Sequence, residues 1–68
     1  VRLKPVERDV IAWAAAGKSY ADIATILALP YSTVRFHLDQ ARRRNGFHTV
    51  TQLIVRAACD FDMCPLEP

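Results

Sequence analysis

Apolar residues recur along this chain at steps of three and four, the period of helices, in four separate stretches. In the first, Val6, Val10, Trp13 and Ala14 fall on one face. Lys4-Pro5-Val6-Glu7 reads as its start, because proline tolerates a position whose N–H has no partner and Glu7 complements the dipole of the first turn. Gly17 ends it. Ser19, with Asp22 three residues on, forms a near capping box for a second stretch whose buried face is Tyr20, Ile23, Ile26 and Leu27. Between Leu27 and Val34 the segment ALPYST breaks that helix, since proline cannot continue it and disfavours helical angles in the residue before it. The third stretch, Pro30 to Asn45 (PYSTVRFHLDQARRRN), reads as one basic amphipathic helix. With Val34 at the origin and about 100° per residue, Val34, Leu38, Ala41 and, at the edge, His37 share a stripe. Arg35, Phe36, Asp39, Arg42 and Arg43 share the other side. Asn45-Gly46 offers a left-handed cap, and Thr49-Val50-Thr51-Gln52 is a full capping box for a fourth helix that carries Val50, Leu53, Ile54 and Ala57 inward.

Two short helices joined by a tight turn, the second longer and basic, form the helix-turn-helix pattern. Length agrees with one small domain: a chain of 68 residues buries only about 60% of its unfolded surface, which excludes a deep catalytic cavity. Apolar content of 51%, ten of those residues alanine, predicts a thin all-α core in which helices approach closely. We place the helix-turn-helix domain at residues 1–59 and a tail, DFDMCPLEP, at 60–68, where acids and prolines turn the chain away from the fold. No run of about 18 apolar residues and no signal-peptide core is present, so the chain reads as cytosolic, with no membrane partner. Its abrupt start suggests a piece of something longer, with any sensing domain upstream.

Charge sharpens the picture. Residues 30–45 hold four arginines against one aspartate, a balance of +3 in a chain of +2, which leaves −1 for the remainder. The positive charge sits on one helix. Cys59 and Cys64 lie so close in sequence that a bridge would close a tiny loop, and they read as free thiols.

The order of residues VERDVIAWAAAGKSYADIATILALPYSTVRFHLDQARRRNGF resembles the LuxR-type helix-turn-helix domain. The likeness rests on Glu7, Gly17, Ile23, Ala24, Leu27, Thr33, Val34, His37, Leu38, Gly46, Thr51 and Gln52, and it spans about Leu3 to Ala58. Trp13 to Lys18 and Phe36 to Leu38 resemble most the quorum-sensing branch, in which an upstream domain binds an acyl-homoserine lactone. The resemblance implies a four-helix LuxR-type helix-turn-helix bundle at the C-terminus of a transcriptional regulator. It implies a dimer on a two-fold-related site, joined through fourth helices, and leaves room for contact with RNA polymerase. Three positions depart from the family pattern. Pro30 stands where a serine usually caps the recognition helix, so Ser32 or the preceding backbone must serve. Asp39 stands at a base-reading position that is usually basic or polar, and Val50 replaces an arginine. These put any inherited target sequence in doubt.

Base edges in the major groove are read from the N-terminal half of such a helix. Arg35 is there and can bond guanine O6 and N7 together. Phe36 either presses on a thymine methyl or is covered by a partner. Asp39 either accepts from cytosine N4 or holds Arg35 or Arg43 through i,i+4 pairing; we favour the second, because phosphates repel a bare carboxylate. Arg42 and Arg43 are expected on phosphates, with Arg44 nearer the fourth helix in a structural role. Lys18, Tyr31, Ser32 and Thr33 sit at helix starts, where N–H and hydroxyl groups bond phosphate oxygens. His37 reads as a packed, hydrogen-bonded histidine, and Trp13 as core or the wall of a domain contact. On the fourth helix Thr51, Val55 and Ala58 lie outside the core stripe, with Cys59 at their edge, and are the expected dimerisation residues.

No catalytic chemistry is expected. Gly17-Lys18-Ser19 lacks the earlier glycine and the preceding strand of a phosphate loop. His37, His48, Cys59 and Cys64 have no zinc spacing, and no nucleophile stands with a base, so neither metal nor cofactor is expected. Two competitors to a regulator's output domain stay open: region 4 of a sigma factor, which SYADIATILALP followed by TVRFHLDQARRR also resembles, and a protein-interaction module using the Phe36 side.

Overall fold

The computed structural model describes residues 1–60. It holds α1 (Pro5–Ala15), α2 (Tyr20–Leu27), α3 (Tyr31–Arg44) and α4 (Val50–Asp60), and no strand among the described residues. Local chemistry sets each boundary. Pro5 takes the first helical position of α1, while the Glu7 carboxylate accepts the Lys4 N–H at 2.8 Å. Gly17, at φ 94, closes α1 by sending its own N–H and that of Lys18 back to the carbonyls of Ala14 and Trp13. Gly46, at φ 74, ends α3 in the same way on Arg43 and Arg42. α2 uses this ending without a glycine: Ala28 is held at φ 56, at a steric cost of about 1 kcal/mol. Ser19 caps α2 by accepting the Asp22 N–H at 3.1 Å. At α4, Thr49 Oγ1 accepts the Gln52 N–H, and Gln52 Oε1 accepts those of His48 and Thr49, so the capping box is complete.

α1 and α3 each pack against all three other helices, and α2 and α4 do not touch. Val10, Ile11, Ile23, Val34, Leu38, Ala41, Leu53 and Ala57 form the core. The stripe expected on α3 is therefore the buried one, with Val34, Leu38 and Ala41 all closed to solvent.

Two expected core residues lie elsewhere. Trp13, read as core or as the wall of a domain contact, is 37% exposed and so is not core; Ile11 is buried in its stead, on a helix that packs against all three others. Ile26 is 44% exposed, since α2 meets only α1 and α3 and buries the single line through Ile23. Asp60, assigned to the tail from sequence, belongs to the last turn of α4, where it accepts from the Val1 amino group at 2.9 Å. The rest of that tail, 61–68 and with it Cys64, lies outside the described residues.

Candidate nucleic-acid interface

The α2–α3 turn is only Ala28-Leu29-Pro30, so α3 begins immediately beyond it. Pro30 stands at the N-cap with extended angles and offers no side-chain cap; its carbonyl accepts the N–H groups of both Thr33 and Val34, at 3.0 and 3.1 Å. Of the two replacements considered for the missing serine, the backbone serves and Ser32 does not. The N–H groups of Tyr31 and Ser32 find no partner among the described residues, and the positive end of the helix dipole stands open to water. Tyr31 and Ser32 are exposed and Thr33 half-buried around this end, and the Tyr31 ring lies 6.3 Å from that of Tyr20. Lys18 is exposed just before α2.

Opposite the buried stripe, Arg35, Phe36 and Asp39 are brought together at a shallow depression of about 310 Å³, walled also by Tyr20, Leu38 and Val50. Arg35 is exposed and has no ion-pair or hydrogen-bond partner among the described residues. Phe36 is 56% exposed, which is uncommon for a phenylalanine on a small domain, and meets His37 edge-on with ring centroids 5.8 Å apart. His37 is half-buried, as expected, but packs on that ring; it has no hydrogen bond among the described residues. Asp39 is engaged at both oxygens, Oδ1 by Arg42 at 2.9 Å and Oδ2 by Arg43 at 3.0 Å. It holds arginines, the second of its two expected roles, and of the two candidates it holds Arg43, not Arg35.

The three consecutive arginines have three different fates. Arg43 stays at the surface, paired through Nε with Asp39 and with its side chain 67% exposed. Arg42, expected on phosphate, is turned back into the molecule: besides Asp39, its Nη1 donates to the carbonyls of Phe47 at 3.0 Å and His48 at 3.4 Å. Arg44 is structural, but its partner is α1 and not α4. Its guanidinium grips the Glu7 carboxylate two-handed, at 2.6 and 3.0 Å, across a separation of 37 residues. Glu7 is 1% exposed. Burial pushes its carboxyl up, but the Arg44 guanidinium and the Lys4 N–H together hold it below its ordinary value. Sequence reasoning gave Glu7 only a dipole role, although its place one turn before Val10 and Ile11 already put a charge on the apolar face.

A further anchor was missed altogether. Asn45 accepts the Arg2 N–H at 2.7 Å and donates to the Arg2 carbonyl at 2.9 Å, while also donating to Ala41 at 2.8 Å. The segment entering α1 is thus fastened to the end of α3. Backbone partners leave no mark in sequence, so no signal could have announced either this contact or that of Arg42.

On α4, Thr51 and Val55 are exposed, Val55 at 59%, beside a shallow groove of about 460 Å³ that Gly46, Phe47 and Cys59 also line. Ala58 is not part of that face. It is 6% exposed, in the last turn of α4, whose Asp60 also bonds the Val1 amino group of the entering segment. A wheel drawn for α4 alone contains no such neighbour. Cys59 is a free thiol. Among the described residues no group of histidine, cysteine and acidic side chains can hold a metal ion, and no helix is long and apolar enough to cross a membrane.

The family described as Sigma-70, region 4 matches residues 1–44, which hold α1, α2, the turn and the whole of α3. The chain belongs to the sigma-70 region 4 family of helix-turn-helix domains. The chain is also similar to part of several LuxR-type transcriptional regulators, and the LuxR-type reading of the sequence holds. The HTH-type quorum sensing-dependent transcriptional regulator RpaR of Rhodopseudomonas palustris is 38% identical over 56 residues, covering 82% of this chain and 23% of RpaR. The transcriptional activator protein EsaR of Pantoea stewartii subsp. stewartii is 37% identical over 57 residues, 84% of this chain and 22% of EsaR. The transcriptional activator protein LuxR of Aliivibrio fischeri is 36% identical over 63 residues, 87% of this chain and 24% of LuxR. This helix-turn-helix domain therefore spans about a quarter of the length of these curated relatives. No solved structure gave a significant match. The two likenesses share the helix-turn-helix and part at α4, which lies beyond the family match but is entered by every alignment of 56 residues or more.

Proposed function

We propose that this domain is the DNA-reading output of a bacterial transcriptional regulator of quorum-sensing type, with α3 lying in the major groove of duplex DNA. One observation carries the reading: the apolar side of α3 is buried against three helices while its opposite side offers Arg35 without a partner. A groove about 12 Å wide admits one helix, and a guanidinium near the helix start reaches guanine O6 and N7 in a two-bond geometry. Phe36 beside it is placed for a thymine methyl, and the open N–H groups of Tyr31 and Ser32, with Thr33, Lys18 and Arg43, suit phosphate oxygens. The exposed Thr51 and Val55 of α4 suit pairing with a second copy on a two-fold-related site. An upstream domain that binds an acyl-homoserine lactone, a contact with RNA polymerase and a cytoplasmic location follow the same analogy to the relatives. The reading calls for no catalytic step and no cofactor.

Arg35→Ala should cost about 1–3 kcal/mol on a duplex selected from a random pool and relax base preference, while Arg43→Ala should weaken all duplexes alike and lower the salt slope by about one. Equal losses on selected and random duplex for Arg35→Ala would remove the base-reading role. The match over residues 1–44 supports a second reading, region 4 of a sigma factor on promoter DNA. Selection separates the two: a dimeric regulator enriches two-fold-symmetric sites, and a sigma domain enriches single asymmetric ones.

A further inference from the structure

Three charged residues share the outer side of α3 one turn apart, Arg35, Asp39 and Arg43, so the carboxylate has an arginine within i,i+4 reach on either side. It pairs with Arg43 and leaves Arg35 alone. Two physical causes select that arrangement. An acid placed N-terminal to a base at this spacing is the better order along the helix dipole, which favours Arg43. The second cause is Arg42. Its guanidinium is fixed at one end by the carbonyls of Phe47 and His48, and at the other it bonds Asp39 Oδ1 at 2.9 Å. Arg42 is only 23% exposed along its side chain, against 67% for Arg43, so its head is set by the α3–α4 loop and not by solvent. With both oxygens occupied, Asp39 faces the C-terminal end of the helix.

We propose that Arg42 is a positioning residue for DNA specificity: anchored to the loop, it holds Asp39 away from Arg35 and so leaves Arg35 free for bases. The inference rests on the DNA-reading function above. It assigns Arg42 no contact with DNA, and it gives Asp39 a reason to occupy a reading surface without reading. Without Arg42, the freed oxygen of Asp39 can accept from Arg35 one turn back. A guanidinium so occupied no longer presents its full fork to guanine.

The test uses the full 68-residue chain, titrated on a fluorescent duplex selected with that chain and on a random duplex of equal length. Arg42→Gln should lose about tenfold on the selected duplex, the scale of one two-bond base contact, and less than about threefold on the random one. Adding Asp39→Asn to Arg42→Gln removes the carboxylate that would capture Arg35, and should return most of the lost discrimination. A phosphate contact by Arg42, or a merely structural one, predicts similar losses on both duplexes with no recovery in the double variant, and that result overturns the inference. Should Arg42→Gln fail to fold, Asp39→Asn alone decides: it should raise random-duplex binding by about threefold or more, through loss of a charge repelled by phosphates, and leave the preferred bases unchanged. A changed base preference would make Asp39 a direct reader and overturn the proposal. If the parent chain holds neither duplex, the DNA-reading function itself falls; if the parent discriminates and the variants behave otherwise than stated, only the role of Arg42 falls.

Discussion

Replacing Glu7 by glutamine keeps the shape of the side chain and deletes its charge, at the one place among the described residues where an acid is closed off inside the bundle. The carboxylate accepts two bonds from Arg44, at 2.6 and 3.0 Å, and one from the Lys4 N–H at 2.8 Å. An amide has one accepting oxygen and an NH2 group that only donates, so at least one of those bonds becomes a donor facing a donor. Breaking a fully buried pair costs about 3–5 kcal/mol, but the Arg44 side chain keeps 30% exposure and can recover water, so we expect about 2 kcal/mol for Glu7→Gln. In a domain this small that corresponds to a melting temperature about 10 °C lower, read by circular dichroism at pH 7. The pH dependence adds an independent check. Because the folded carboxyl is held below its ordinary value of 4.5, the stability it contributes is fully present above that pH and is lost as pH falls through the lower folded value. The melting curves of parent and variant should therefore converge on acidification. A gap at pH 7 smaller than about 2 °C, or a gap that stays constant into acid, would refute the reasoning.

Two further outcomes follow from the fold. Ala28→Gly relieves a left-handed alanine at φ 56 and, after the extra chain entropy of glycine is offset, should raise stability by about 0.5 kcal/mol, visible as a higher urea midpoint; a lower midpoint would show that the turn is not strained. Val55→Arg changes a residue 59% exposed on α4, so melting should hold while two-copy occupancy of a two-fold duplex is lost in sedimentation; unchanged sedimentation would remove α4 from the dimer contact.

The pattern of apolar spacing was enough for the four helices because each ends on a local signal: Pro5, Gly17, Ser19, Pro30, Gly46 and the Thr49–Gln52 box all act within a turn of where they stand. The stripe of Val34, Leu38 and Ala41 was legible for the same reason, since a helix buries what its own period aligns. What escaped depends on neighbours distant in sequence. Arg42 and Arg43 differ by one position and by about 100° of turn, and the loop carbonyls of Phe47 and His48 hold the first inward while the second stays exposed. Ala58 is buried in the last turn of α4, which Asp60 ties to Val1 from 59 residues away, and Ile26 is exposed because α2 has no third neighbour. Glu7 is the intermediate case: its position on an apolar face was visible, but its partner Arg44 was one of several arginines until the bundle placed it.

The central claim is that α3 presents the side carrying the unpaired Arg35 to the double helix, and amide chemical shifts of the isotope-labelled chain titrated with a selected duplex test it most directly. The account predicts the largest changes at Lys18, at Tyr31 to Phe36 and at Arg43, saturating at one duplex stoichiometry and reversed by salt. Changes confined to the outer residues of α1 and α2, such as Trp13 and Ile26, with α3 silent, would contradict it.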